Sequence, residues 1–275
     1  MVLNADCVRR LGIIAGAGQF PRLLALAARE QGIQVIAAGF HSDTDPQIQN
    51  CVDIFQFFYL GQFRRLIRFF QKAKVEGLVF AGGISKPRAL DLRPDWLAGK
   101  ILFRLRQRGD DKLLGAVIAE FERAGLPVLS SADFLPNLRV PEGVLSIKEP
   151  NDEEWEAIRY GWPLLLRIGE LDIGQCLIVK KGCVVAVEGI DGTDATILRA
   201  GQVGGGGCVV LKCCKPGQDE RVDLPSIGLA TIQNMVKAKA GCLAVQTEKT
   251  LFFDSVAALR LAAREGISIV GVKVE

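Results

Sequence analysis

Leu11-Gly12-Ile13-Ile14-Ala15-Gly16-Ala17-Gly18-Gln19-Phe20-Pro21 decides how the first half of the chain is read. The apolar run up to Ala15 does not alternate with polar residues. That pattern belongs to a strand buried on both faces, as in a parallel sheet. The Gly-Ala-Gly turn lets the backbone bend sharply, and Pro21 suits the first turn of a helix. The stretch therefore predicts strand, tight turn and helix in succession.

The same alternation continues outward. Phe20 to Glu30 carries Leu23, Leu24, Leu26 and Ala27 at helical spacing. Apolar runs at Ile33–Ala38, Asp53–Tyr59, Gly77–Ala81 and Pro127–Ser130 predict further strands, with helices over Phe63–Lys74 and Lys112–Ala124. Helices set between continuous apolar strands describe a doubly wound parallel sheet, a Rossmann-like domain over residues 1–140. Pro136, Pro141, Pro150 and Pro163 then break the pattern, so 141–162 is expected to be a linker. Asn151-Asp152-Glu153-Glu154 within it reads as a helix start. Residues 163–275 predict a distinct mixed α/β domain, with a hairpin over Cys176–Lys180 and Cys183–Val187, a strand over Cys208–Cys213, and helices over Leu229–Lys239 and Val256–Glu265. A length of 275 residues agrees with two domains.

Composition excludes several classes. Lys+Arg 34 against Asp+Glu 31 leaves +3, too little basic excess for a dedicated nucleic-acid binder. His41 is the one histidine, so zinc sites built on histidine and His-based phosphorelays have nothing to use, and acid–base work falls to carboxylates, Lys, Cys or a metal-bound water. The eight cysteines form no C-x-x-C pair, which argues against structural zinc. Arg9-Arg10 followed by Leu11–Gly18 loosely imitates a leader, but the apolar part is short and reads as the first strand. No run reaches the ~20 apolar residues of a membrane span, and the expected location is the cytoplasm, with free thiols.

Several motifs bear on chemistry. Gly16-Ala17-Gly18-Gln19 resembles the dinucleotide fingerprint, but Pro21 stands where its third glycine belongs, and the second strand ends in Gly39-Phe40-His41 without the ribose-binding acid. A turn that sets backbone N–H groups against a phosphate or nucleoside survives this objection, and Gly82-Gly83 ends another strand at the same sheet edge, with Lys86 beyond it. Phe63-Arg64-Arg65-Leu66-Ile67-Arg68-Phe69-Phe70 is basic and amphipathic, either a helix packed on the sheet or one that lies on an anionic membrane. Cys213-Cys214 reads as the end of a buried strand rather than an activated thiolate. The carboxylates carry the strongest signal. Glu188-Gly189-Ile190-Asp191-Gly192-Thr193-Asp194 places three acids among glycines after an apolar strand, and Lys215-Pro216-Gly217 leads into Asp219-Glu220-Arg221-Val222-Asp223-Leu224-Pro225. Acids at such turns make oxygen sites for a hard cation such as Mg²⁺, and Arg and Lys neutralise phosphate oxygens. Pro225 disfavours helix at Leu224; if the segment is extended, Arg221 and Asp223 share one face.

At these residues the chain resembles the LpxI-type UDP-2,3-diacylglucosamine pyrophosphatases of lipid A synthesis. The resemblance runs through Gly12–Pro21, Ala81-Gly82-Gly83, Arg108–Leu114, Asp172-Ile173-Gly174-Gln175, Glu188 with Gly192-Thr193-Asp194, Lys215–Gln218, Arg221–Gly228 and Thr231-Ile232. Asp191 departs from it, since Glu is expected there. The resemblance implies Mg²⁺-dependent cleavage of UDP-2,3-diacylglucosamine to UMP and 2,3-diacylglucosamine 1-phosphate, in a cytoplasmic homodimer that touches the inner membrane transiently. Combined with the turn chemistry, it assigns Asp223, Arg221 and Lys215 to catalysis. Glu188, Asp191, Asp194 and Asp223 are expected at the metal. Gly16, Ala17, Gly18, Gln19, Gly82, Gly83, Gln175, Thr193 and Thr231 are expected at the substrate. Two other classes stay open: an NAD(P)-dependent oxidoreductase, and a non-catalytic nucleotide-sensing module.

Overall fold

The computed structural model describes residues 7–84, 95, 96, 98, 99, 110–222 and 224–273. The chain divides into two compact units, Met1–Pro136 and Asn137–Glu275.

The first unit runs β1 (Arg10–Ala15), α1 (Phe20–Glu30), β2 (Gln34–Phe40), β3 (Ile54–Phe58), α2 (Phe63–Lys72), β4 (Gly77–Ala81) and α3 (Asp110–Arg123). Its sheet is wholly parallel, in the order β3-β2-β1-β4. Covering both faces of β1 is what makes its sequence continuously apolar: Leu11, Ile13, Ile14 and Ala15 are all buried. Leu24, Ala25 and Ala28 of α1 pack on one face with Ile13, Ala15, Val35 and Ala37. Pro127–Ser130, expected as a fifth strand, makes only an isolated bridge between Val128 and Leu78. Leu78 N donates to Pro127 O and Leu129 N to Leu78 O, each at 2.8 Å. Pro127 has no N–H to extend the ladder, and the chain turns into a 3₁₀ helix at Ser131.

The second unit runs β5 (Gly143–Val144), α4 (Asp152–Glu170), β6 (Cys176–Lys180), β7 (Cys183–Val187), α5 (Gly192–Gly204), β8 (Val209–Lys212), β9 (Ser226–Ile227), α6 (Leu229–Ala238), β10 (Cys242–Gln246), β11 (Leu251–Phe252), α7 (Ser255–Glu265) and β12 (Ser268–Val272). The main sheet has the order β5-β12-β10-β8-β6-β7. Strands β8, β10 and β12 are mutually parallel, while β5, β6 and β7 each run antiparallel to a neighbour. A short parallel pair, β9 and β11, stands apart.

The stretch expected as a linker, 141–162, is instead structured: it supplies β5 and the first half of α4, and lies in the second unit. The helix start at Asn151 is a full capping box. Asn151 Oδ1 accepts from Glu154 N, and Glu154 Oε2 accepts from Asn151 N, both at 2.9 Å. Pro163 does not end this helix, although an internal proline costs about 3 kcal/mol. Ala157, Ile158, Trp162 and Leu165 bury one face against Leu177, Val179, Val209 and Leu211, and at about 1.5–3 kcal/mol per large buried side chain this packing outweighs the proline.

Candidate functional site

In the first unit the sequence-predicted residues gather at the carboxyl edge of the parallel sheet. The turn after β1 locks onto the turn after β4: Gly16 N donates to Ala81 O and Ala17 N to Gly83 O, both at 2.7 Å. The fit leaves no room for side chains. A Cβ on Gly16 would stand 2.4 Å from Gly83 O, and one on Gly82 would stand 2.3 Å from Ala17 O. Gly82 also has φ of +82°, a conformation that favours glycine. These contacts correct the expectation that the whole turn presents its amides to a ligand, because the Gly16 and Ala17 N–H groups are spent inside the protein. They also argue against a dinucleotide pyrophosphate cradle. Gly18 and Gly83 differ: a Cβ on either meets nothing within 4 Å. Gln19 begins α1, and the open backbone of this corner is at Gly18 and Gly83. Lys86 lies outside the described residues, as do Arg108 and Gly109.

In the second unit, β7, β8, β10 and β12 end, and β6 begins, along one edge. Glu188 follows β7 there and is 8% exposed. Its Oε2 accepts from Gln175 N at 3.2 Å and its Oε1 from Thr193 Oγ1 at 3.1 Å, so three sequence-predicted residues meet at one carboxylate. Gly174 permits this, since a Cβ there would lie 2.3 Å from Glu188 O. Gln175 Oε1 is buried beside them without a hydrogen-bond partner among the described residues.

Asp191 does not join this carboxylate. Asp191 Oδ2 accepts from Arg199 Nη2 at 3.0 Å and Oδ1 from Gly189 N at 3.1 Å. The Arg199 hydrogen bond, helped by Gly189 N–H, holds its carboxyl below the ordinary range. Asp194 is exposed in the first turn of α5. Among the described residues, no three His, Cys, Asp or Glu side chains gather as a metal set, so Glu188, Asp191 and Asp194 do not form the expected cluster. The reason is local: the Gly189–Asp191 turn commits Asp191 to Arg199.

The basic residues are engaged as well. Lys215 Nζ donates to Asp172 Oδ1 at 2.7 Å, and Lys215 N to Gln218 Oε1 at 3.2 Å. Arg221 lies in a turn, not in an extended segment, and grips Asp219 in a fork, Nε to Oδ1 at 2.9 Å and Nη2 to Oδ2 at 2.7 Å. That fork lowers the Asp219 carboxyl. Asp223 lies outside the described residues. Thr231, 8% exposed, accepts from Gly228 N at 3.3 Å and so caps α6. Burial pushes the Cys213 thiol up to about 12, which keeps it protonated at neutral pH and agrees with the buried-strand reading of Cys213-Cys214.

Sequence reasoning missed Lys212. It ends β8 and is only 6% exposed, yet its run reads as plain apolar strand. The signal was the charge itself, since a lysine inside a buried strand needs an explanation. Sequence reasoning also missed α5, because Gly192, Gly201 and Gly204 disguise a helix.

Comparison with known proteins bears on the family of the chain. Residues 10–138 match the LpxI N-terminal domain, and residues 141–270 match the LpxI C-terminal domain. The chain is 31% identical to the UDP-2,3-diacylglucosamine pyrophosphatase LpxI of Caulobacter vibrioides, over 96% of this chain and 98% of that protein. Among solved structures, the biotin carboxylase domain of Hydrogenobacter thermophilus 2-oxoglutarate carboxylase aligns at 11% identity and a TM-score of 0.30, over 64% of this chain and 35% of that one. N5-carboxyaminoimidazole ribonucleotide synthetase from Thermus thermophilus aligns at 13% identity and a TM-score of 0.27, over 73% of this chain and 45% of that one. Likeness this slight does not bear on fold or activity. Matches to both domain models and a relative aligned nearly end to end do bear on family, and the chain belongs to the LpxI family.

Proposed function

We propose that the protein hydrolyses the diphosphate of UDP-2,3-diacylglucosamine to UMP and 2,3-diacylglucosamine 1-phosphate, with Mg²⁺. One observation supports this above the others: the end-to-end relationship to a protein named for that pyrophosphatase activity, combined with the oxygen donors that the second unit collects around Glu188. The donor set fits Mg²⁺. This ion takes one or two protein carboxylates plus substrate phosphates and keeps several waters, so it does not need three gathered acids. The Glu188 carboxylate and Gln175 Oε1 would hold it, with Asp194 and Asp223 as further ligands. When bound, Mg²⁺ supplies Lewis-acid neutralisation of diphosphate oxygens.

The chain's own groups do the rest. Lys215 and Arg221 supply cations for phosphate oxygens, and each is held in place by an acid, Asp172 or Asp219. Asp223 is assigned to orienting the attacking water, because His41 lies in the first unit and the second has no histidine. Gly18, Gln19 and Gly83 are assigned to the uridine nucleotide, where the backbone is open.

Incubation of the purified protein with UDP-2,3-diacylglucosamine and Mg²⁺ should release UMP, and excess EDTA should abolish release. No UMP with Mg²⁺ present would overturn the assignment. Full release in EDTA, with no metal bound, would remove the metal from it.

An acylated substrate brings the protein to a membrane surface, and α2 offers the means. Leu66 and Phe70 are buried against the sheet, so this helix does not insert its apolar face. Arg64, Arg65, Arg68 and Lys72 are exposed, and none forms an ion pair among the described residues. No described helix is long and apolar enough to cross a membrane. Each cation near an anionic surface contributes about 1 kcal/mol, so replacing Arg64, Arg65 and Arg68 together by Glu should weaken binding to phosphatidylglycerol vesicles by at least about 10²-fold. Co-sedimentation at low salt reads this directly. Equal binding by the triple variant would reject α2 as the contact.

A further inference from the structure

Lys212 is a buried cation that the proposed function does not use. Its residue is 6% exposed, at the carboxyl end of a strand inside the main sheet of the second unit, with β6 on one side and β10 on the other. Its Nζ donates to Ser226 O at 2.8 Å. No carboxylate pairs with it among the described residues, and it has no other hydrogen bond there. An ammonium has three donors, and burying one with a single neutral acceptor is costly. Arg22, Arg167 and Arg199, all more exposed than Lys212, each find an acid, Asp45, Glu170 and Asp191 respectively. Lys212 is therefore less well compensated than these three arginines.

Two helices direct their amino ends toward this end of β8. The alternation of β8 puts Lys212 on the same face as Cys208 and Val210, which pack with Ile197 and Ala200 of α5 and with Ile232 and Met235 of α6. These two helices meet near their carboxyl ends: a Cβ on Gly201 would lie 2.6 Å from Ala238 Cα, and Gly207 N donates to Lys239 O at 2.7 Å. Both amino ends therefore lie toward the sheet edge where β8 stops at Lys212. Helix amino ends carry partial positive charge. Lys212 is paired in register with Cys176, and Cys176 O accepts from Glu188 N at 2.9 Å, so Lys212 and the Glu188 corner share one edge of the sheet.

We propose that the Lys212 ammonium is an anion-binding group that takes a phosphate oxygen of the substrate diphosphate, on the same sheet edge as Glu188. This rests on the proposed pyrophosphatase reading for the identity of the ligand, but not for the existence of the anion site. The one bond to Ser226 O positions the amine, and the remaining N–H groups are held ready for phosphate.

A buried lysine kept for function is a burden on stability, and an apolar residue of similar shape relieves it. Lys212→Met should therefore melt at or above the wild-type temperature, while turnover falls about 10²–10³-fold, the scale for one lost donor to developing charge. Inorganic pyrophosphate should raise the melting temperature of the wild type and leave that of Lys212→Met unmoved. Lys212→Gln, which keeps a neutral hydrogen-bond donor in place of the ammonium, should behave like the Met variant in turnover and in pyrophosphate response. Wild-type turnover, or an undiminished pyrophosphate shift, in either folded variant would overturn the proposal. So would failure of both variants to fold, which would make Lys212 a structural tether of Ser226. A pyrophosphate shift lost in the variants of a protein that releases no UMP would sink the pyrophosphatase reading and leave the anion site standing.

Discussion

Asp223→Ala should lower turnover by about 10²–10⁴-fold, the range for loss of a positioned acid–base group, while substrate binding largely survives. The expectation starts from scarcity. With His41 as the one histidine, water activation in a diphosphate hydrolase must fall to a carboxylate, a lysine or a metal-bound water. Asp172, Asp191 and Asp219 are each committed to a cation, Lys215, Arg199 and Arg221 respectively. Those pairs engage three acids of the second unit, and Asp223 is the acid that the proposed function assigns to the water. The chain on either side has its own anchors. Arg221 is forked onto Asp219, and the carbonyl of Ser226 accepts from Lys212. Removing one carboxylate between such anchors should cost about 1 kcal/mol or less if its role is only to cap a turn. Turnover and melting temperature measured on one preparation separate the two roles, and Asp223→Asn tests charge at constant shape. A well-folded Asp223→Ala protein that hydrolyses substrate at the normal rate would end the assignment.

Loss of the Glu188 carboxylate is expected to have the second largest effect, and to act on both stability and turnover. Glu188→Ala leaves Gln175 N–H and the Thr193 hydroxyl without their acceptor, at about 1–3 kcal/mol for each buried group that stays unpaired. It also removes the one buried carboxylate of the corner, and turnover should drop by about 10²–10³-fold if that charge stabilises the transition state through bound metal. Glu188→Gln separates these effects. Its amide oxygen keeps an acceptor at nearly the same place, so the melting temperature should recover most of the loss while turnover stays low. It should also need more Mg²⁺ for half-maximal rate. A Gln variant with normal turnover and normal Mg²⁺ dependence would reduce Glu188 to a structural link between β6, β7 and α5.

The two halves of the chain were legible in the sequence to different degrees. β1, β2, β4 and α1 stand out because a parallel strand covered on both faces must be continuously apolar, and local spacing expresses that directly. The β6–β7 hairpin has the same clarity, since Lys181-Gly182 supplies the turn. α4 was obscured because Pro163 signals interruption locally, and only its packing against Leu177 and Leu211 shows why the helix continues. α5 was hidden for a related reason: glycines lower helix propensity, but Gly201 is what lets α6 approach so closely.

The candidate site divides in the same way. The sequence by itself determined which residue types were present: acids among glycines, a scarcity of histidine, and a Lys-Pro-Gly turn before a second acidic run. It also determined the family, because long ordered matches do not depend on geometry. Only the tertiary structure decided which of those acids are committed. Asp191 faces Arg199, Asp219 faces Arg221, and Glu188 alone is buried against Gln175 and Thr193. The same holds for the first unit, where Gly16 and Ala17 turn out to bond to the neighbouring turn. The physical reason is that hydrogen bonds and ion pairs act over a few ångströms between residues far apart in the chain. Spacing along the chain therefore supplies the chemical groups, and packing chooses their partners.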